Sequence, residues 1–404
     1  MLRIIIRISK NSCAYLIFFF HCLVTSAQDN RTQLPGLLSG NTYFDATVGY
    51  INYHFTNSHL AAGYRATSIR VPHAGVRLIL YGYRFNKFLS AQVTYLRPVL
   101  WMQFQNINGD KANHSVVMNI TGLTVKSSIT IKKRLSMYTE AGLAHITRTG
   151  FEINDHPAIK NASYLTLQAG VGLNYHLSDK FSLTAYAGWS PANSRQLQPA
   201  TIFFSGGARY NVHRLSAERE EANRNSGFIF PANLVQVGFT SNVARYGVND
   251  FFANKYFPVF WGGDVRAGKG LTISYQHNIF HGRKVFSIDL GTSFSYWTSD
   301  VHQNHFYTLS IFPLFRFTFL QLKTTGFYFN YSVAGPTYIS RIRIDEIETG
   351  KRFTFQDMMG IGVYAGRRRS MNAEIRIGHY SNGDLFPQNN GIKVPLSFNL
   401  GYAF

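Results

Sequence analysis

The sequence predicts an all-β protein built from transmembrane antiparallel β-barrels, and three observations carry that expectation. Composition is the first: 34 Phe, 24 Tyr and 34 Gly with only 15% charged residues is a mixture that suits pleated, half-buried surfaces better than helices. The second is dyad alternation, the period of a strand with one apolar and one polar face. Leu165, Leu167, Ala169, Val171, Leu173, Tyr175 and Leu177 oppose Thr166, Gln168, Gly170, Gly172, Asn174 and His176. Likewise Phe286, Ile288, Leu290, Phe294 and Tyr296 oppose Ser287, Asp289, Gly291, Ser293 and Ser295. The third is the recurrence of such segments at about ten residues each, which is the signature of a membrane barrel; no single segment is diagnostic.

The strands follow in order from this pattern. The first contains Phe44, Ala46, Val48 and Tyr50, and further segments are expected at 75–84, 87–98, 115–131, 134–147, 165–177, 180–190 and 201–212. A hydrophilic gap from Arg214 to Gly227 interrupts the series, carrying Glu218, Arg219, Glu220, Glu221 and Arg224. Strands resume at 233–244, 267–279, 286–296, 305–319, 325–335, 353–365, 371–381 and 392–404. Each side of the gap holds enough strands to close a small barrel. Two tandem eight-stranded barrels are therefore expected, at 28–213 and 228–404 with a polar linker at 214–227; one barrel of about sixteen strands is the alternative.

The first residues address the compartment. Arg3, Arg7 and Lys10 precede an apolar run from Ala14 to Val24 and the small residues Thr25-Ser26-Ala27, the layout of a secretory signal peptide at 1–27. Both cysteines, Cys13 and Cys22, fall within it, so the mature chain is expected to be stabilised without disulfides. Removing three basic and no acidic residues lowers the formal charge from +20 to +17. That excess favours an anionic partner; the phosphates of lipopolysaccharide suit an exported barrel, and nucleic acid is not expected. The last strand ends Leu400-Gly401-Tyr402-Ala403-Phe404. Its terminal aromatic resembles the sorting signal of bacterial outer-membrane barrels, which places the chain in the Gram-negative outer membrane, and an even number of strands is expected to leave both termini in the periplasm.

Chemistry concentrates in Ile375-Arg376-Ile377-Gly378-His379-Tyr380-Ser381-Asn382-Gly383. His379 and Ser381 share the apolar face with Ile377 and Ile375, whereas Glu374, Arg376 and Tyr380 share the other. In a membrane barrel the apolar face meets lipid. A strand rising through 371–381 delivers the histidine and serine to the outer-leaflet boundary. The preceding strand places a charged residue, Asp357, among Phe353, Phe355, Met359, Ile361 and Val363. A turn made by Arg367-Arg368-Arg369 sets Asp357 directly opposite His379, where a carboxylate would fix the imidazole tautomer. An isolated carboxylate in hydrocarbon costs several kcal/mol by the larger estimates, so a lone structural role is a poor explanation. No carboxylate, cysteine or histidine cluster has metal-ligand spacing, and neither metal nor cofactor is expected.

From roughly residue 228 onward, these residues resemble the lipid A 3-O-deacylase (PagL) and acyloxyacyl hydrolase family of outer-membrane barrels. The resemblance rests on Gly335-Pro336-Thr337 with Ser340, on Phe355-Gln356-Asp357 followed by Gly360-Ile361-Gly362, and on His379-Tyr380-Ser381-Asn382 with Asn389 and Gly391. It implies an eight-stranded barrel with its active site on the outer wall, Ser381 as nucleophile, His379 as general base, and Asn389, with Asn382, in oxyanion or substrate-positioning roles. The implied substrate is lipid A, from which an ester-linked acyl chain is removed. One position departs: the family's glutamate two residues after the glycine matched by Gly391 is Lys393 here, and a lysine cannot orient a histidine as a carboxylate does. Either Asp357 supplies the acid, or Asn382 orients the ring, or activity is lost; Asp357 is the favoured reading. A non-catalytic barrel acting as a pore or surface scaffold is the alternative function.

Overall fold

Alternating segments become hydrogen-bonded ladders that close on themselves twice. The computed structural model describes residues 30–253 and 260–404; the expected leader at 1–27 lies outside the described residues. The first barrel is a meander of β1 (Thr42–Asn52), β2 (Ala74–Arg84), β3 (Leu89–Pro98), β4 (Asp110–Lys132), β5 (Leu135–Thr149), β6 (Ala162–His176), β7 (Phe181–Ser190) and β8 (Thr201–Asn211). Pairing of β1 with β8, from Tyr43 opposite Asn211 to Asn52 opposite Ile202, closes it. The second comprises β9 (Asn233–Ser241), β10 (Val265–His281), β11 (Phe286–Ser299), β12 (His305–Gln321), β13 (Thr325–Ile339), β14 (Phe353–Ala365), β15 (Met371–Ser381) and β16 (Ile392–Ala403). It is closed by β9 against β16. The molecule is thus two eight-stranded barrels, and the single large barrel is excluded.

Closure removes the unpaired edges that would be intolerable in lipid. Outward residues such as Val48, Leu123, Leu143, Leu165, Ile311 and Leu400 are exposed, forming the apolar exterior. Short connections lie at one end of each barrel, for example the exposed turn made by the Lys132-Lys133-Arg134 run. Long ones lie at the other end, which corresponds to the outer side of a bacterial barrel.

Both interiors are filled. In the first, Glu140 accepts from Arg77 at 2.5 Å, from Tyr186 at 2.9 Å and from Gln92; Arg209 pairs with Asp45 at 2.7 Å. In the second, Arg316 pairs with Asp289 and Arg376 with Glu374, while Tyr328 donates to Glu374 at 2.8 Å. These are the polar, inward faces of the dyads, and an eight-stranded barrel is only wide enough for side chains. The long-loop ends are capped as well. Tyr53, Phe55, Leu60 and Phe104 are buried over the first barrel, where an unanticipated strand pair, Ala66–Arg70 with Met102–Ile107, extends the sheet beyond the wall. In the second, Asp345 of the 340–352 connection binds Ser299 Oγ at 2.6 Å and the His302 amide at 2.8 Å.

The polar gap between barrels contains a helix that alternation did not reveal, α1 (Ala217–Arg224), capped by Ser216, whose Oγ accepts from the Arg219 amide at 3.3 Å. It holds the segment before β1, through Asn223 Nδ2 to the Thr32 carbonyl at 3.2 Å and Gln33 Nε2 to Glu220 at 2.8 Å.

Because Glu140 is the acceptor on which several donors converge, Glu140→Gln leaves the buried Arg77 uncompensated. A loss of about 3–5 kcal/mol is expected, as for other broken buried ion pairs. Urea unfolding of the full-length protein in detergent measures it; an unchanged midpoint would show that the network contributes nothing.

Candidate active site on the outer wall of the second barrel

Four strands build the site. Across β14 and β15 the register runs Phe355 opposite Ser381, Asp357 opposite His379 and Ala365 opposite Met371, so the arginine turn sets the carboxylate against the imidazole. His379 Nδ1 lies 3.2 Å from Asp357 Oδ2. Parity holds too: Glu374, Arg376 and Tyr380 point into the lumen, where Tyr380 meets Thr308 Oγ1 at 3.1 Å. His379 and Ser381 take the opposite, outward face.

Two bulges, neither foreseen, complete the arrangement. In β13 the register slips between Ser332 and Gly335, and Ala334 adopts a left-handed φ of 55°. This turns its amide out of the ladder and onto Asp357 Oδ1, at 2.7 Å. The carboxylate is therefore buried with one oxygen on a backbone N–H and the other on the imidazole, which removes the penalty that an unpaired charge would carry there. The sequence signal is the Gly335-Pro336 pair following Ala334. In β16 the register slips opposite Arg376 and Gly378, at Pro395. Val394 consequently turns inward, beside Tyr380 and Ile392, instead of sharing a face with Leu396 and Phe398 as strict alternation suggests. The same slip puts Lys393 opposite His379, where its ammonium pairs with Asp250 of α2 (Gly247–Phe252) at 2.7 Å. The residue standing at the family glutamate's position is thus turned to a carboxylate of its own.

The outward histidine is not bare to lipid. It is 2% exposed because the connection after β9 folds over it: the Trp261 ring stacks on the imidazole at 6.2 Å and 15°, and Phe260 meets it edge-on at 6.4 Å. On the Nε2 side, a Cβ at Gly391 would come within 2.5 Å of that nitrogen, so only glycine leaves the ring its place. Below the aromatic cover runs an apolar groove of about 550 Å³, lined by Phe252, Phe329, Tyr331, Met359, Ile361 and Ile377 among others. The sequence reading missed this cover and groove, although the aromatic density of 251–261 was the available signal.

The amides are placed differently from expectation. Asn389 Oδ1 accepts from the Asn382 backbone N–H at 2.7 Å and its Nδ2 donates to Asp384 Oδ1 at 2.9 Å. Asn382 Nδ2 faces the Gln388 carbonyl at 3.4 Å, and its Oδ1 is buried without a partner among the described residues. Both side chains thus knit the 382–391 connection, and it is Asp357 that stands against His379 Nδ1. With Nδ1 engaged, Nε2 is the nitrogen left to exchange a proton with a hydroxyl.

Trp261→Ala should unroof the imidazole. Carbethoxylation of the His379 peptide, followed by mass spectrometry, should speed up several-fold; an unchanged rate would mean that Trp261 does not shield the ring.

Comparison with known proteins places the resemblance in the second barrel. No curated protein matches the chain. Among solved structures, the outer-membrane enzyme PagL aligns over 43% of this chain and 99% of its own, at 17% identity and a TM-score of 0.29. The N-terminal β-barrel domain of Pseudomonas aeruginosa OprF aligns over 42% and 96%, at 16% and 0.26. The attachment invasion locus protein Ail of Yersinia pestis, in complex with sucrose octasulfate, aligns over 42% and 100%, at 16% and 0.28. Residues 269–403, from β10 to β16, match the family model described as Lipid A 3-O-deacylase (PagL).

Proposed function

We propose that the second barrel is an outer-membrane serine esterase that removes an ester-linked acyl chain from lipid A or a related glycolipid. The observation that carries the proposal is the conjunction of Asp357, His379 and Ser381 on the lipid-facing side of the wall with an apolar groove beside them. A hydrolytic set aimed outward suits a substrate that resides in the bilayer. The groove supplies apolar surface to an acyl chain while its linkage stays level with Ser381 at the strand's outer end.

In this mechanism Ser381 Oγ attacks the ester carbonyl carbon as His379 Nε2 accepts its proton, and Asp357 stabilises the imidazolium through Nδ1. Collapse of the tetrahedral intermediate expels the sugar hydroxyl, protonated by His379, and leaves the acyl group on Ser381. Water, deprotonated by the same nitrogen, then releases the fatty acid. Asn382 and Asn389 hold the chain beside the nucleophile, and of the two it is the part-buried Asn389 whose remaining amide hydrogen is the donor offered to the oxyanion. The shift of the acid from the β16 side of the histidine to the β14 side keeps the geometric role while changing the strand that fills it. The positive charge of the chain suits a phosphorylated glycolipid surface.

A catalytically silent surface scaffold is the second reading, motivated by Lys393 and by the first barrel, to which this mechanism gives no chemical step. Lipid A incubated with purified protein and weighed by intact-mass spectrometry separates the two. Ser381→Ala should abolish loss of the acyl chain while heat-modifiable migration of the barrel is retained; continued release rejects the serine mechanism. Asp357→Asn should lower kcat by about 10²–10⁴-fold, as loss of the orienting acid does elsewhere. Glu374→Gln, on the lumen side, should have a far smaller effect, and equal losses would remove Asp357 from the mechanism. Gly391→Ala, by crowding Nε2, should likewise depress turnover by an order of magnitude or more, in the manner of other small misplacements.

A further inference from the structure

The outward faces of β4 and β5 carry two residues that parity sends toward lipid but that are nevertheless covered. Asn119 is 1% exposed and Thr147 3%, whereas Leu123 and Leu143, farther along the same faces, are 61% and 53% exposed. Their cover is the 382–391 connection of the second barrel. Asn119 Nδ2 donates to the Asp384 carbonyl at 3.3 Å, Thr147 Oγ1 donates to the Leu385 carbonyl at 2.6 Å, and the His145 ring meets Phe386 at 6.1 Å. Tyr95 on β3 donates to Asn119 Oδ1 at 2.9 Å, which fixes the amide so that its nitrogen faces the connection. From the far side, Lys351 lies over the Phe386 ring at 4.6 Å.

The carbonyls gripped in this way adjoin the site. Asp384, held by its backbone, offers Oδ1 to Asn389 Nδ2 at 2.9 Å, and Asn389 Oδ1 takes the backbone N–H of Asn382 at 2.7 Å. Asn382 directly follows Ser381. Hydrogen bonds therefore run without a gap from Tyr95 in the first barrel through Asn119, Asp384 and Asn389 to the residue beside the nucleophile. Polar side chains on a lipid-facing wall are costly unless partnered, and here the acceptors for Asn119 Nδ2 and Thr147 Oγ1 both lie on the other barrel.

We propose that the first barrel is a brace for the catalytic loop of the second, with Asn119 and Thr147 as its positioning residues. They touch no substrate; they hold residues 384 and 385 so that Asn389 keeps the end of β15, with Ser381, in one geometry. The connection also carries Gly391, which bounds the imidazole, so both nucleophile and base depend on its path. An unbraced loop would sample several paths and spend less time in the reactive one. The catalytic consequence rests on the esterase reading; the structural consequence does not.

The test uses the full-length protein in vesicles containing lipopolysaccharide and compares wild type, Asn119→Leu with Thr147→Val, Thr147→Val alone and Thr147→Ser. Thr147→Val replaces one hydroxyl by a methyl and spares the fold if the double variant does not assemble. Deuterium exchange of amides 383–390 should quicken about tenfold in the Val variants, as expected of a loop released from its contacts, with β14 and β15 unchanged. Fatty-acid release should lose about tenfold in kcat with KM unaltered, the mark of lost preorganisation, and Thr147→Ser should restore both readouts. Unchanged loop exchange overturns the brace. Quickened exchange with an unaltered kcat in an active protein overturns the positioning role. If wild type releases no acyl chain, the esterase reading fails, and loop exchange by itself decides whether the brace exists.

Discussion

A buried carboxylate on the lipid-facing side of a barrel wall is the constraint around which the second domain is organised. Asp357 is buried, so each oxygen needs a hydrogen-bond donor. One oxygen takes the Ala334 amide at 2.7 Å and the other faces His379 Nδ1 at 3.2 Å. The first partner exists only because β13 bulges, and a regular ladder would have spent that N–H on a neighbouring carbonyl. The second fixes which imidazole nitrogen remains available. A single electrostatic requirement thus links a strand irregularity, a cross-strand register and the tautomer on which any proton transfer would depend.

Register does more here than close a cylinder. Eight-stranded walls are rigid because each strand is paired on both edges, and their filled interiors resist collapse or flexing. That rigidity makes the outer wall a usable platform, since side chains at fixed positions on paired strands hold their spacing better than side chains on loops. The loops then refine the platform. Trp261 and Phe260 dry the imidazole from one side, Gly391 yields space on the other, and Lys393 is drawn off to Asp250. Burial beneath aromatic rings strengthens the carboxylate–imidazole interaction by excluding water.

The two barrels are similar in architecture and different in emphasis. Each packs ionic networks within and apolar residues without, but on the outer wall of the first the histidine and serine that meet are His145 and Ser163, 3.0 Å apart on the neighbouring strands β5 and β6. Its exterior instead presents Asn119 and Thr147 to the connection that follows Ser381. Fusion in one chain makes such a contact easy to maintain, because the α1 linker keeps the partner at high effective concentration.

The sequence by itself determined the fold class, the sixteen wall strands, the faces of those without bulges and the site's centre. Dyad alternation survives in one dimension because a strand's side-chain period is independent of its neighbours. Hence 353–365 and 371–381 agree with β14 and β15 as found, and the parity of His379, Ser381 and Glu374 could be read directly. The pairing of Asp357 with His379 was legible too, because a short turn fixes register locally. What only the tertiary structure decided depends on contacts distant in sequence: the closure of β9 on β16, the bulges at Ala334 and Pro395, the aromatic cover from 260–261 and the loading of Asn389 onto Asp384. A bulge is a compromise between two strands, and a lid is defined by what it covers, so neither leaves a periodic trace in the chain that forms it.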